Sequence, residues 1–223
     1  MEFTRRIFLA SAATLAASRA QSAEPLGQGA FRYRPVDSWG ILDDTTPVNN
    51  CHGIVQTRDG RVILLTDHTA NNVIVYDKAG RLLSKWGDRF PGAHGLSIVE
   101  ENGREVLFVT DLRLHQVYKT TLDGQVLAIF GWPRETGKYA SADEYRPSWT
   151  LHRPNGDFFV LDGYGKDYVI HYDAAGKILD VWGGAEGGIP HWGPHGGVID
   201  DRAPERPLML IAMSDRQSIK RFT

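Results

Sequence analysis

Three histidines stand at matched places in a repeating sequence: Cys51-His52-Gly53, Ala93-His94-Gly95 and Pro194-His195-Gly196. Imidazole nitrogen binds zinc at about 2.0–2.1 Å, and three protein ligands with one open position make a catalytic centre. Such chemistry requires rings far apart in the chain to reach one point. The alternative is that His-Gly is a packing preference along a channel wall, with the rings bridged by water. A further opening of the same kind, Ser148-Trp149-Thr150, carries Trp149 in place of histidine. Trp149 reads either as an aromatic wall of a substrate pocket or as a core residue.

The elements that must position these residues follow each opening in a fixed order. A β-rich run ends in aspartate at Asp67, Asp111, Asp162 and Asp215, and an apolar strand comes next, for example Val73-Ile74-Val75-Tyr76. In three copies a glycine turn then leads to a strand closing on Trp86-Gly87, Phe130-Gly131 or Trp182-Gly183. The openings lie 42, 55 and 46 residues apart (94−52, 149−94, 195−149). About four short strands per unit at that period predict β-propeller blades, which turn the start of every innermost strand toward one channel. Asp59-Gly60, Asp123-Gly124 and Asn155-Gly156 are hairpin signals at the expected places. No helical period stands out beyond the N-terminus, so the class is all-β. The recurring aspartates read as structural hydrogen-bonding residues, and Trp39, Trp86 and Trp182 as blade packing.

Two inserts, Trp132 to Arg146 and Gly183 to Gly193, are rich in Gly, Pro and aromatics and are candidates for a rim around a ligand. His191 and Trp192 in the second would reach the channel mouth. Arg113 reads as a rim residue or a solvated loop arginine, and His115, His152 and His171 as surface or half-buried. Tyr33 to Gly40 looks like an outermost strand, and the sequence ends at Thr223 after a third strand. Four blades are therefore expected over residues 24–223, either closing a four-bladed ring or forming part of a six-bladed one whose remaining blades are missing.

Bulk properties narrow the function classes. The chain has 223 residues, 42% hydrophobic, with a formal charge of −2 and pI near 6.4. That balance leaves no footprint for nucleic acid or an anionic membrane. No apolar stretch beyond the N-terminus approaches the roughly 20 residues needed to span a bilayer. Residues 1–23 read as an export signal: Arg5-Arg6 precede an apolar run to about Ala17 and small residues near Ala20 to Ala23. This resembles a twin-arginine signal and implies a periplasmic or secreted protein. Cys51 has no partner for an internal disulfide; it reads as a small buried hydrophobe, with metal ligation beside His52 as the alternative.

Ala93-His94-Gly95-Leu96-Ser97-Ile98, Phe108-Val109-Thr110-Asp111 and Leu114 to Lys119 resemble a blade of peptidyl-α-hydroxyglycine α-amidating lyase, the zinc-dependent NHL-type propeller of peptide-amidating enzymes. Phe159-Val160-Leu161-Asp162-Gly163-Tyr164 is similar to the segment bearing that family's catalytic tyrosine. Pro194-His195-Gly196 and Ser214-Asp215-Arg216 resemble the blade supplying a second zinc histidine and an active-site arginine. The resemblance implies six blades, His94 and His195 as zinc ligands, Tyr164 as base and Arg216 as a substrate contact. The family's third zinc histidine lies in a blade this sequence does not contain, and His52 has no counterpart there. Asp67 falls where the family carries an arginine, with His68 beside it. His68, His191 and Trp149 complete the expected substrate-binding set for a small-molecule or peptide substrate.

A structural calcium ion is the other metal such a channel would hold. The competing reading is a non-catalytic NHL-repeat propeller that binds a peptide, glycan or protein partner. A lactonase-type hydrolase ranks last, because the acidic metal cluster it needs is not evident.

Overall fold

A computed structural model describes residues 24–188, 191–203 and 205–223. The expected export signal therefore lies outside the described residues. The described residues divide into two compact units, 24–38 and 39–223. In the first, β1 (Leu26–Gln28) and β2 (Phe31–Tyr33) form an antiparallel hairpin.

The second unit holds four antiparallel sheets in a propeller arrangement. Blade one comprises β3 (Cys51–Gln56), β4 (Val62–Thr66), β5 (Val73–Tyr76) and β6 (Leu82–Trp86). Blade two comprises β7 (Ala93–Glu101), β8 (Arg104–Asp111), β9 (Gln116–Thr121) and β10 (Val126–Phe130). Blade three comprises β11 (Trp149–His152), β12 (Phe158–Leu161), β13 (Tyr168–Tyr172) and β14 (Ile178–Gly183). Blade four has three strands, β15 (Pro194–Asp200), β16 (Leu208–Met213) and β17 (Ser218–Phe222). Strand order within each blade follows chain order, as consecutive hairpins dictate. No α-helix occurs among the described residues, and no helix there is long and apolar enough to cross a membrane.

The expected outer strand at Tyr33 to Gly40 is not formed: beyond β2 the next strand is β3. Pro35 fixes φ, and Ser38 (φ 57°) and Gly40 (φ 77°) turn through the left-handed region, so the segment cannot stay extended. Trp39 instead packs on Tyr76, ring centroids 5.5 Å apart, and its Nε1–H donates to the Lys78 carbonyl at 3.2 Å.

The blades are held together by apolar side chains between their faces. Leu65 and Val73 of blade one pack with Leu96, Leu107 and Val109 of blade two, all essentially inaccessible to solvent. Val106, Phe108 and Val117 meet Phe158, Val160 and Ile170 at the next junction, and Leu161 and Val169 meet Ile211 and Met213 at the last. Fully burying one such side chain contributes about 1.5–3 kcal/mol.

Glycines on the innermost strands and in the β12–β13 loop make the approach closer still. A Cβ on Gly53 would stand 2.4 Å from the Leu96 Cβ, one on Gly95 would stand 2.5 Å from the Ser148 carbonyl oxygen, and one on Gly163 would stand 2.3 Å from the Pro194 oxygen. Inner strands accordingly neighbour one another in the order β3, β7, β11, β15, with no comparable packing between β15 and β3 among the described residues.

Three recurring aspartates tie loops to these strands, in keeping with their structural reading. Asp67 accepts from the Asn50 backbone N–H and Nδ2, both at 3.0 Å. Asp111 accepts from the backbone N–H groups of Gly92, Arg113 and Leu114, and Asp162 from those of Arg146 and Lys166 and from the Tyr139 hydroxyl. Burial pushes Asp162 up to about 7 despite those donors.

Gly95→Ala is expected to destabilise the protein by about 1–3 kcal/mol, because the added methyl meets backbone of the next blade. Gly131→Ala, where the same methyl meets nothing within 4 Å, is expected to change stability by under about 0.5 kcal/mol. Denaturant unfolding of the two variants checks this, and equal stabilities would contradict the tight inner junction.

Candidate functional site

Each His-Gly opening coincides with an irregularity in the ladder. The pairing of β3 with β4 shifts between Cys51 and Gly53, that of β7 with β8 between Ala93 and Leu96, and that of β15 with β16 between Pro194 and Gly196. His52, His94 and His195 are thus bulge residues, freed from cross-strand pairing and aimed off the sheet. Blade three pairs regularly from Trp149↔Leu161 onward. Its contribution comes from the β12–β13 loop, where Tyr164 follows Gly163.

These four side chains meet. The His52 and His94 rings stack with centroids 4.5 Å apart, and the His94 and His195 rings stand edge to face at 5.0 Å. Tyr164 lies edge to face against both, 5.1 Å from His94 and 4.6 Å from His195. Its hydroxyl is 3.0 Å from His195 Nε2.

Polarity is fixed most firmly at His94. Its Nδ1 lies 3.0 Å from the Ser148 carbonyl oxygen, which can only accept, so Nδ1 carries the proton. Nε2 is left as a bare lone pair, buried and without a partner. Ser148 is the residue the sequence did not single out. Its carbonyl also accepts from the Thr110 hydroxyl at 3.3 Å, and its own hydroxyl donates to the Pro194 carbonyl at 2.8 Å. One serine therefore joins blades two, three and four beside the cluster. The only available signal was its place one residue before Trp149 in the repeat.

Burial lowers His94 to about 4, with the neighbouring His52 and His195 adding to the shift against the opposing Ser148 bond. Burial and His52 lower His195 as well, opposed by Asp215. Both rings are neutral near pH 7 and can offer lone pairs. Tyr164 is raised by burial and then by the negative charge of Asp215, so nothing in the protein alone makes it acidic. The His195 Nδ1 is a second buried nitrogen without a partner. Among the described residues, however, no three His, Cys, Asp or Glu side chains are arranged to hold a metal ion.

The other expected site residues are placed differently. Trp149 is half-buried against the core between blades three and four, and its ring is the nearest neighbour, at 4.0 Å, of the space a Cβ on Gly196 would fill. His68 is taken up locally, its Nδ1 accepting the Ala70 N–H at 3.1 Å. The His191 side chain is 93% exposed and 4.0 Å from the Asp167 carboxylate. Arg216 is exposed in the 3₁₀ turn Ser214–Arg216, and Asp215 of the same turn acts electrostatically on Tyr164 and His195. Trp192 does not reach the channel mouth: it is buried on Trp182 and Phe222, with Nε1–H donating to the Asp167 carbonyl at 2.9 Å. Cys51 is not a buried hydrophobe either but exposed, its thiol 3.6 Å from the Asn49 carbonyl. It precedes the bulge that swings His52 out, which leaves the strand start uncovered.

No family model matches the chain. It is 30% identical over 108 residues to peptidyl-alpha-hydroxyglycine alpha-amidating lyase 1 of Drosophila melanogaster, covering 47% of this chain and 19% of that protein. It is likewise 30% identical over 112 residues to lyase 2 of the same fly, covering 49% and 27%. The chain thus spans 19% and 27% of the length of these two curated relatives. Among solved structures it resembles a streptogramin B lyase (TM-score 0.61, 18% identity, 80% of this chain and 53% of that one). It also resembles a protein of unknown function from Bacteroides caccae (TM-score 0.51, 14% identity, 87% and 60%). At those identities the structures speak for the propeller fold alone, and the sequence likeness is to two proteins named as α-amidating lyases.

Proposed function

We propose that the chain belongs to an exported zinc-dependent lyase of the α-amidating type, built on a six-bladed ring and acting on a carbinolamide such as a peptidyl-α-hydroxyglycine. The carrying observation is the 3.0 Å contact between the Tyr164 hydroxyl and His195 Nε2 beside the gathered rings of His52 and His94. The similarity to two proteins named as such lyases supports the substrate class, and the twin arginines at residues 5 and 6 support export.

His94 and His195 suit zinc in donor chemistry, since each keeps a buried ring nitrogen without a partner. A histidine whose other N–H is fixed on a backbone carbonyl, as in His94, is the usual metal-ligating arrangement. They would hold the ion, with His52 as the third imidazole nearby. A bound zinc ion supplies Lewis acidity and the positive charge that favours tyrosinate.

Tyr164 then takes the substrate hydroxyl proton at its phenolic oxygen. As the C–O bond becomes a carbonyl, the carbon–nitrogen bond breaks and the proton passes to the departing amide nitrogen. His195 holds the Tyr164 oxygen in place through its Nε2. Arg216, in the same exposed turn as Asp215, would anchor substrate.

A second reading, a non-catalytic propeller that binds a peptide, glycan or protein, is favoured by one observation: no three-ligand group assembles among the described residues. The two readings part on the histidines. Exchanging His52, His94 and His195 for Asn leaves partner binding intact in the second and removes turnover in the first.

Full-length protein given zinc is expected to cleave a hydroxyglycine peptide to amide and carbonyl products. Tyr164→Phe is expected to lower that rate about 10²–10⁴-fold; a variant with undiminished rate would reject the base. Acid stability offers an independent check. An unfolded histidine titrates near 6.5, whereas His94 does so at about 4, so the native state binds fewer protons between those values. Its contribution is full above about pH 6.5 and is lost as pH falls toward 4. His94→Asn is expected to flatten the acid limb of stability against pH by up to about 1.4 kcal/mol per pH unit. An unchanged slope in urea titrations would mean that His94 is not the buried neutral base described.

A further inference from the structure

Tyr164 also lines a cavity of about 490 Å³, together with Leu112, Arg113, His115, Asp143 and Arg146. The two arginines arrive from separate elements. Arg113 follows β8, in a loop whose path is set by Asp111 accepting the Arg113 and Leu114 N–H groups at 2.8 Å. Arg146 closes the insert that begins at Trp132; its N–H donates to Asp162 at 2.7 Å and its carbonyl accepts the Tyr164 N–H at 3.4 Å. Both anchoring aspartates are fully buried, so the arginine backbones stand on rigid supports. Neither guanidinium has a hydrogen-bond or ion-pair partner among the described residues. Asp143 is the single carboxylate in the lining, with its Oδ1 3.3 Å from His115 Nε2.

Two guanidinium groups and one carboxylate give the lining a formal charge of +1 (two Arg, one Asp). A monoanion neutralises that charge, whereas a phosphate dianion would leave an excess and meet Asp143. Guanidinium forks match planar carboxylates through paired N–H donors. We propose that this cavity is a specificity site for an acidic side chain, glutamate or aspartate, of a peptide ligand. Its lining includes Tyr164 but not Arg216. Its position beside the chemistry rests on the role given to Tyr164 above, but the carboxylate site itself does not.

N-acetyl-glutamate amide and N-acetyl-glutamine amide differ only in the charge of the side chain and carry no reacting group. In titrations of the full chain followed by nuclear magnetic resonance at low salt, the glutamate form is expected to bind about tenfold more tightly or better. Arg113→Gln combined with Arg146→Gln is expected to abolish that preference without shifting the melting temperature, and Asp143→Asn to increase it. Equal binding of the two amides, a preference that survives in the double variant, or tighter binding of inorganic phosphate would each overturn the proposal. A protein that keeps the preference but never turns over hydroxyglycine peptides sinks the lyase reading alone. One that turns them over with no preference sinks this proposal alone.

Discussion

Close approach of the inner strands governs the rest of this structure. Where Gly53, Gly95 and Gly163 lack a side chain, the backbone or Cβ of the next blade occupies the space a methyl would need. None of these three has a positive φ, so glycine is there for room and not for backbone freedom. The consequence is that imidazoles from three separate sheets come within 5.0 Å of a neighbouring ring. A wider junction would leave the same histidines lining a broad channel, each solvated alone.

Two kinds of force divide the labour. The apolar interfaces between blades supply most of the stabilisation and make each sheet a rigid mount. They do not aim anything. Aim comes from polar backbone groups: the bulges that free His52, His94 and His195 from their ladders, and the Ser148 carbonyl that selects one tautomer of His94. The same burial that fixes His94 and His195 keeps those two rings uncharged, which favours lone-pair donation from them.

The sequence carried much of this at the level of repeats. Four openings, four terminal aspartates and the Asp-Gly and Asn-Gly turns were enough to place the blades, because propeller strands are local hairpins. Convergence of the three histidines followed from their equivalent repeat positions. What could not be read was one-residue geometry. A bulge leaves no compositional mark, so the freeing of His52 and the exposure of Cys51 were hidden. Trp192 sits in an insert that looks like a rim, yet it docks into a hydrophobic interface whose other side comes from Phe222, thirty residues on. Tyr33 to Gly40 has the right residue types for a strand, but two left-handed residues close together break it. Ser148 was missed because its work is done by a carbonyl, which every residue possesses.

The regular pairing of Trp149 with Leu161 marks blade three off from its neighbours. Its innermost strand begins without the spare residue that the other three blades insert. Changing Trp149 to histidine would therefore not supply an additional imidazole to the cluster; the ring would stay in step with the sheet's pleat. Recruiting that blade's first strand would take an added residue, an insertion rather than an exchange. Side-chain exchange alone thus leaves the number of first strands feeding the centre unchanged; altering that number requires a change in chain length.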